Sequence, residues 1–431
     1  MDSTAAAPPT DDRTDEEILA DLQTYKPVDP ASSERNVWAF WDRGLAAAKP
    51  WCRRNVVGWV RRHQGRGWTV RVLDMVPGSP NHFSRFVPAT PGVLPAALLG
   101  AQGGMAGTPH AGPHAADLLR LPLLFLHGGV WLDVGFMLFR DLDSLCWDAL
   151  ASGDSPLELA GFRMTVDEGI AMFWNGFIAA RKGCVAVRLW HELFLRLWEG
   201  RASTEGSEQY LYFLQFSPLF PMAEHPLLRH LPRYEVPSST GQPPAFKYAA
   251  YVDYLIQMFC LERLRHTRDP ALGWDGPDWF ARGALLFECV TEVYWAQTLT
   301  HWDGRKQFDM LSRRRRSEGP AGVGPEDEGY GEARAFVDGI LAMSSTMKIS
   351  HGIVTEQREY LARIWDEPEH ADADRAPGTF AEYLRWASVH YQQKKELAPL
   401  SLPVREDALL TGGLFDEVGK PHPHWDSENK P

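Results

Sequence analysis

The sequence predicts an α/β protein: a mostly parallel sheet flanked by helices, with a largely helical C-terminal half. Three observations point that way. NVWAFWD and WTVRVLD are β-branched and aromatic runs on either side of an amphipathic stretch, so strand, helix and strand fit within roughly forty residues as a βαβ unit. A long apolar helical pattern then ends at Gly128-Gly129 and feeds a third short strand, Val130–Leu132, closed by Asp133. Beyond residue 200 helical patterns dominate.

Taken in order, residues 1–33 are Pro-, Ala- and acid-rich and read as a disordered tail holding one short helix over EEILADLQ. The first strand begins at Asn36. Pro50 opens the helix WCRRNVVGWVRRHQ, which puts Val56, Val57, Trp59 and Val60 at helical spacing and ends at Gly65 and Gly67. The second strand stops at Val-Pro-Gly-Ser-Pro. Ala115 to Leu126 is helical by pattern, with Pro122 inside it, and the glycine pair supplies stop and turn. FWNGFIAARKG reads as strand and turn, leading into a helix over VRLWHELFLRLW. Residues 34–200 thus form the α/β core. Residues 201–400 form a mainly helical region, interrupted by the loop at Arg313 to Arg316 and including a helical run over 332–349; residues 401–431 form a polar, Pro-rich tail.

Composition narrows the function classes. Among 431 residues, 44 Lys plus Arg against 56 Asp plus Glu leave a formal charge of −12, which opposes general coating of nucleic acid. Five scattered cysteines form no C-x-x-C pair, so they read as small core residues in a reducing compartment. The start lacks the basic and apolar regions of a secretion signal, and no apolar stretch reaches the ~18 residues of a membrane helix. A cytoplasmic protein is expected. No Walker loop, G-x-S-x-G elbow or H-E-x-x-H occurs.

The chemistry-bearing constellation is Asp117, Arg120 and Gly128-Gly129-Val130-Trp131-Leu132-Asp133. Asp117 and Arg120 share one helix face, and the glycines return the chain into a strand whose carboxyl end presents Asp133. In open α/β sheets ligands bind outside such strand ends. A carboxylate there can accept hydrogen bonds from sugar hydroxyls or ligate a hard cation, and an arginine fork can hold oxygens.

The run D-L-L-R-x-x-x-L-x-x-x-G-G-V-W-L-D resembles the core motif of capsular-polysaccharide-synthesis proteins and the related family 32 glycosyltransferases. The entry segment from Asn36 to Asp74 and the Asn-x-Phe-Ile-Ala strand at Asn175 agree in order and spacing, so the resemblance spans roughly residues 36 to 200. It implies a GT-A-like, Rossmann-related fold that binds a nucleotide-sugar and transfers its sugar to an acceptor. It implies Trp38 and Trp41 near the base, Asp117 and Arg120 on the donor sugar, and Asp133 at the ribose or at a diphosphate-bound Mn²⁺ or Mg²⁺. Trp131 and Asn175 join the binding residues, as does His351 from a late segment. The chain departs from the pattern at Gly135, which stands where the motif's second aspartate would ligate the metal. Asp141-Leu142-Asp143 spells D-x-D again but reads as part of the next loop.

Two other readings share the fold. Fungal arginine-containing cyclodipeptide synthases use aminoacyl-tRNA, and the arginines at 313–316 with Arg53, Arg54, Arg61, Arg62 and Arg66 would form the RNA-facing patch. A non-catalytic descendant would only bind a sugar nucleotide or a protein.

Overall fold

In the computed structural model, which describes residues 11–29, 33–99, 111–167, 170–199, 226–228, 231, 255–315, 328–350 and 359–418, the first strand is β1 (Asn36–Phe40). It lies parallel to β2 (Thr69–Leu73) on one side and to β3 (Gly129–Leu132) on the other. The sheet continues through β6 (Ile170–Ala180), β5 (Leu159–Asp167) and β9 (Ala284–Glu288), in the order β2-β1-β3-β6-β5-β9. Only β6 runs against its neighbours. Two small sheets flank the main one. β4 (Phe136–Leu138) pairs antiparallel with β10 (Thr346–Lys348). β7 (Thr267–Asp269) lies between β8 (Trp274–Asp275) and β11 (Leu410–Thr411).

Connectivity explains the layers. The helix α2 (Pro50–Arg62) joins β1 to β2, and α3 (Ala111–His127) precedes β3 on the other side of β1. Right-handed crossovers in opposite directions put these two helices on opposite faces of the sheet. With α3 pack α4 (Val185–Leu197) and then α5 (Ile256–Arg265); α7 (Phe380–His390) packs with α2, and α6 (Glu328–Met343) contacts α7. Trp38, Trp59, Trp131 and Trp190 are fully buried, and each indole N–H has an acceptor: Gly128 O, Phe136 O, an Asp133 carboxylate oxygen and Gln257 O. Large apolar rings with one satisfied donor suit such a core. All five cysteines are free and buried.

Gly129 shows why the glycine pair precedes β3. Its φ is 107°, and a Cβ there would collide with the backbone carbonyl of Asn36 on the neighbouring strand.

Three expectations of organisation change. Within 1–33, residues Asp15–Leu22 form α1 with a Thr14–Glu17 capping box, and Ile18 and Leu22 are buried in the core. The region 201–400 is not only helical: it supplies β9 to the main sheet and β10 to β4, and the run over 332–349 leaves its helix at Met343 to form that strand. Most of 205–254 lies outside the described residues. Residues 401–418 are no free tail, because β11 pairs with β7 and Leu414 is buried, while 419–431 lie outside the described residues. Among the described residues no helix is long and apolar enough to cross a membrane.

Candidate functional site

Asp133 follows directly on β3, and its backbone N–H bonds Gly176 O on β6. Beside it β6 is bulged: Gly161 of β5 faces Ile178, but Phe162 faces Trp174, so residues 175–177 are inserted. A bulge next to a strand end re-aims side chains, here Asn175. The late segment reaches the same place through β10, whose Lys348 pairs with Phe136 of β4.

Four charged side chains converge at this edge. Arg120 pairs with Asp117 Oδ1 at 2.8 Å and donates to the Asn175 carbonyl at 2.7 Å, and its guanidinium lies 3.8 Å from Asp133 Oδ1. It also lies 5.1 Å over the Trp131 ring. Trp131 Nε1 donates to Asp133 Oδ1 at 3.0 Å. Lys348 Nζ donates to Asp133 Oδ2 at 2.6 Å and sits 4.7 Å from the Trp174 ring centre. Asn175 Nδ2 bonds Gln257 Oε1 at 3.0 Å and Asp117 Oδ1 at 3.4 Å, while Gln257 Nε2 holds the Asp117 carbonyl at 2.6 Å. The Arg120 side chain is 6% exposed and that of Asp133 26%, so Asp133 is the more accessible of the two.

These surroundings separate the two carboxyls. Burial raises Asp117 to about 6, reinforced by the nearby Asp133 and opposed by Arg120 and Lys348. Burial also opposes ionisation of Asp133, but the charges of Lys348 and Arg120 and the hydrogen bonds from Lys348 and Trp131 outweigh it, and its pKa lies below the ordinary carboxylate value. One acid is ready to titrate near neutral pH; the other is held ionised.

Asp117, Arg120, Asn175 and Asp133 therefore meet as the sequence spacing anticipates. Trp38 does not join them: it is 0% exposed, with its N–H on Gly128 O, and is a core residue with no face for a base. Trp131 is buried too, so it orients Asp133 rather than meeting a ligand. Trp41 lies half-buried past the end of β1, and its indole N–H is buried without a hydrogen-bond partner among the described residues. His351 lies outside the described residues. The second D-x-D is used elsewhere: Asp143 pairs with Arg35 at 2.9 Å and accepts from Trp68, and Asp141 accepts from Ser144 N–H.

The arginine patch is a correction as well. Arg54 pairs with Asp374 and Asp372, Arg61 with Asp15, and Arg66 with Asp141 and Asp143. Arg62 is buried on the carbonyls of Ala387, Ser388 and Tyr391, and Arg315 covers the Tyr383 ring. Arg54, Arg61, Arg62 and Arg66 are thus held within the fold, while Arg313, Arg314 and Arg315 are exposed. Arg316 lies outside the described residues.

Sequence reasoning missed Lys348 and Gln257. The signal for Lys348 was a lone cation in the run STMKIS, which alternates as a strand where a helix was read. Gln257, inside IQMFCLERL, carried no such signal.

The donor set does not fit a divalent cation. Both Asp133 oxygens already accept from N–H donors, Lys348 on one and Trp131 on the other. A side chain at position 135 would overlap the Ser350 hydroxyl, whose Cβ lies 3.3 Å from the Cβ position. Among the described residues the one trio of candidate ligands, Glu367, Glu369 and His370, lies elsewhere in the chain.

No protein-family model matches the chain. Curated relatives do. Glycosyltransferase afumC of Aspergillus fumigatus is 52% identical over 94% of this chain and 97% of its own. O-glycosyltransferase braB of Annulohypoxylon truncatum is 38% identical over 94% of this chain and 91% of its own. O-glycosyltransferase PaGT of Phomopsis amygdali is 38% identical over 96% of each chain. Among solved structures, PaToxG glycosyltransferase aligns with 42% of this chain and 65% of its own at 15% identity, and its TM-score of 0.25 carries no weight for the fold.

Proposed function

The chain belongs to a family of fungal glycosyltransferases, and from that premise we propose that it moves a sugar from a nucleotide-sugar donor to a hydroxyl of a small-molecule or glycan acceptor. Two relatives named O-glycosyltransferases support an oxygen acceptor. The sheet order with its single reversed strand, and the Asp-Arg helix before Gly-Gly-Val-Trp-Leu-Asp, support a GT-A-like fold related to the capsular and family 32 enzymes, with the second acid of the D-x-D element lost at Gly135.

The observation that carries the reading is the meeting of Asp117, Arg120, Asn175 and Asp133 at the carboxyl end of β3. In this reading Asp133 accepts hydrogen bonds from donor hydroxyls and Asp117 from the sugar. Arg120, bridging both acids and the Asn175 carbonyl, fixes their spacing. Trp41 and His351 are further candidates for donor and acceptor contact. Rate gain comes from positioning and from stabilising the departing diphosphate. No step is routed through a metal.

The alternative as a tRNA-dependent cyclodipeptide synthase gains no support. All four matching relatives are named glycosyltransferases, and Arg54 and Arg61, two of the arginines it would use, are paired within the fold.

Calorimetry and turnover with a panel of UDP- and GDP-sugars test the proposal. The full chain is expected to bind and slowly hydrolyse at least one donor, and Asp133→Asn to lower that turnover about a hundredfold or more. A wild-type chain that neither binds nor turns over any donor would refute it.

A further inference from the structure

We infer that Lys348 takes the place of the divalent cation, so that a lysine ammonium supplied by β10 meets the donor diphosphate and transfer runs without metal. The inference rests on the sugar-transfer reading above. Charge counting comes first. In a D-x-D site two carboxylates face one divalent cation. Here, beside the Asp117–Arg120 pair that the motif carries in either case, the single acid Asp133 faces the single ammonium of Lys348 at 2.6 Å. The local sum is the same, and this cation is part of the chain.

Geometry separates the two cations. Exposure does not distinguish them, at 6% for the Arg120 side chain and 10% for that of Lys348, but Arg120 is committed to Asp117, Asn175 and the Trp131 face. The Lys348 ammonium makes one hydrogen bond, to Asp133 Oδ2, among the described residues. An ammonium has three protons, so two remain for phosphate oxygens. Its stem is fixed by the β10–β4 pairing, and its head is flanked by the Trp174 and Phe136 rings at 4.7 and 5.6 Å, which limit where it can go. Asp133, the acid that would otherwise ligate the metal, instead aims the ammonium.

Gly135 is then explained together with Lys348. β10 enters the site only by running close beside the turn after Asp133, with Ile349 N–H on the Gly135 carbonyl at 2.9 Å and the Ser350 hydroxyl in the space of a Gly135 side chain. A side chain at position 135 requires the Ser350 hydroxyl to turn away, because the Ser350 Cβ lies 3.3 Å from its Cβ position, so the glycine eases the close passage of this strand.

In the transfer step the bond between the sugar C1 and the diphosphate oxygen breaks, and its electron pair stays on that oxygen. The acceptor oxygen bonds C1 and releases its proton to water. Lys348 offsets the charge growing on the diphosphate.

The test compares the wild-type full chain in EDTA and in Mn²⁺, and Lys348→Ala and Lys348→Arg beside it, using the UDP- and GDP-sugar panel. Expected are turnover in EDTA within about twofold of that in Mn²⁺, and about a hundredfold loss of kcat/KM in Lys348→Ala with partial rescue by Lys348→Arg. A residue that only props Asp133 would weaken all ligands alike. Lys348→Ala is instead expected to lose affinity for UDP or GDP while keeping that for the bare nucleoside. Turnover abolished by EDTA and restored by Mn²⁺ overturns the inference and leaves sugar transfer standing; so does a folded Lys348→Ala with unchanged kinetics. Should that variant fail to fold, Lys348→Arg and the EDTA comparison decide. A wild-type chain inert to every donor, with or without metal, removes the underlying reading and this inference together.

Discussion

Asp117 keeps an unfavourable charge in place. A carboxyl carried from its ordinary 3.8 to about 6 costs on the order of 3 kcal/mol to ionise inside the fold. Between those values the folded protein binds more protons than the unfolded chain, so this group lowers stability as pH rises through that window. Asp117→Asn keeps an oxygen for Arg120 and removes the charge. The variant is expected to be more stable than wild type by about 1–3 kcal/mol at pH 7, with the difference vanishing near pH 4, while donor turnover falls. Thermal unfolding across that range measures it, and a difference that does not change with pH would contradict the assigned cause. The site is thus a place where stability and function pull apart.

At the scale of elements, a buried ion-pair cluster joins α2 to α7. Asp374 is 0% exposed and lies between Arg54 of α2 and Arg385 of α7. Burial opposes its ionisation, but the two arginines outweigh that and hold its pKa below the ordinary value. Its stabilisation is therefore present at neutral pH and lost as pH falls through that lowered value. Asp374→Ala leaves two arginines facing each other without their acid and is expected to destabilise by about 3–5 kcal/mol, read by denaturant titration. The acid and both arginines are visible in the sequence, yet nothing local pairs residues more than three hundred positions apart. By contrast, the strand–helix–strand entry, the glycine stop before β3 and the Asp117–Arg120 face were legible, because each is written in the period or turn chemistry of its own segment.

At the scale of the whole molecule, residues 401–418 are structural. Arg263 is 0% exposed, and its guanidinium donates to the carbonyls of Gly413, Leu414 and Asp416, and of Leu227. Truncation after Pro403 removes β11, buried Leu414 and three of those four acceptors, stranding a buried cation. A loss of more than about 3 kcal/mol is expected, seen as a lowered Tm or insoluble expression. Truncation after Glu417, by comparison, retains all three carbonyls and is expected to cost far less.

The sequence by itself determined the elements that close on themselves: the βαβ entry, the Gly-Gly turn, the acid at the end of β3 and the helix face shared by Asp117 and Arg120. Those follow from periodicity and backbone chemistry over a few residues. Only the tertiary structure decided that Trp38 belongs to the core, that Arg54 is already paired, and that Lys348 reaches Asp133 across 215 positions. The reason is physical: a side chain's burial and its partner are set by which strands become neighbours, and pairing of β4 with β10 is a long-range choice that no local pattern encodes.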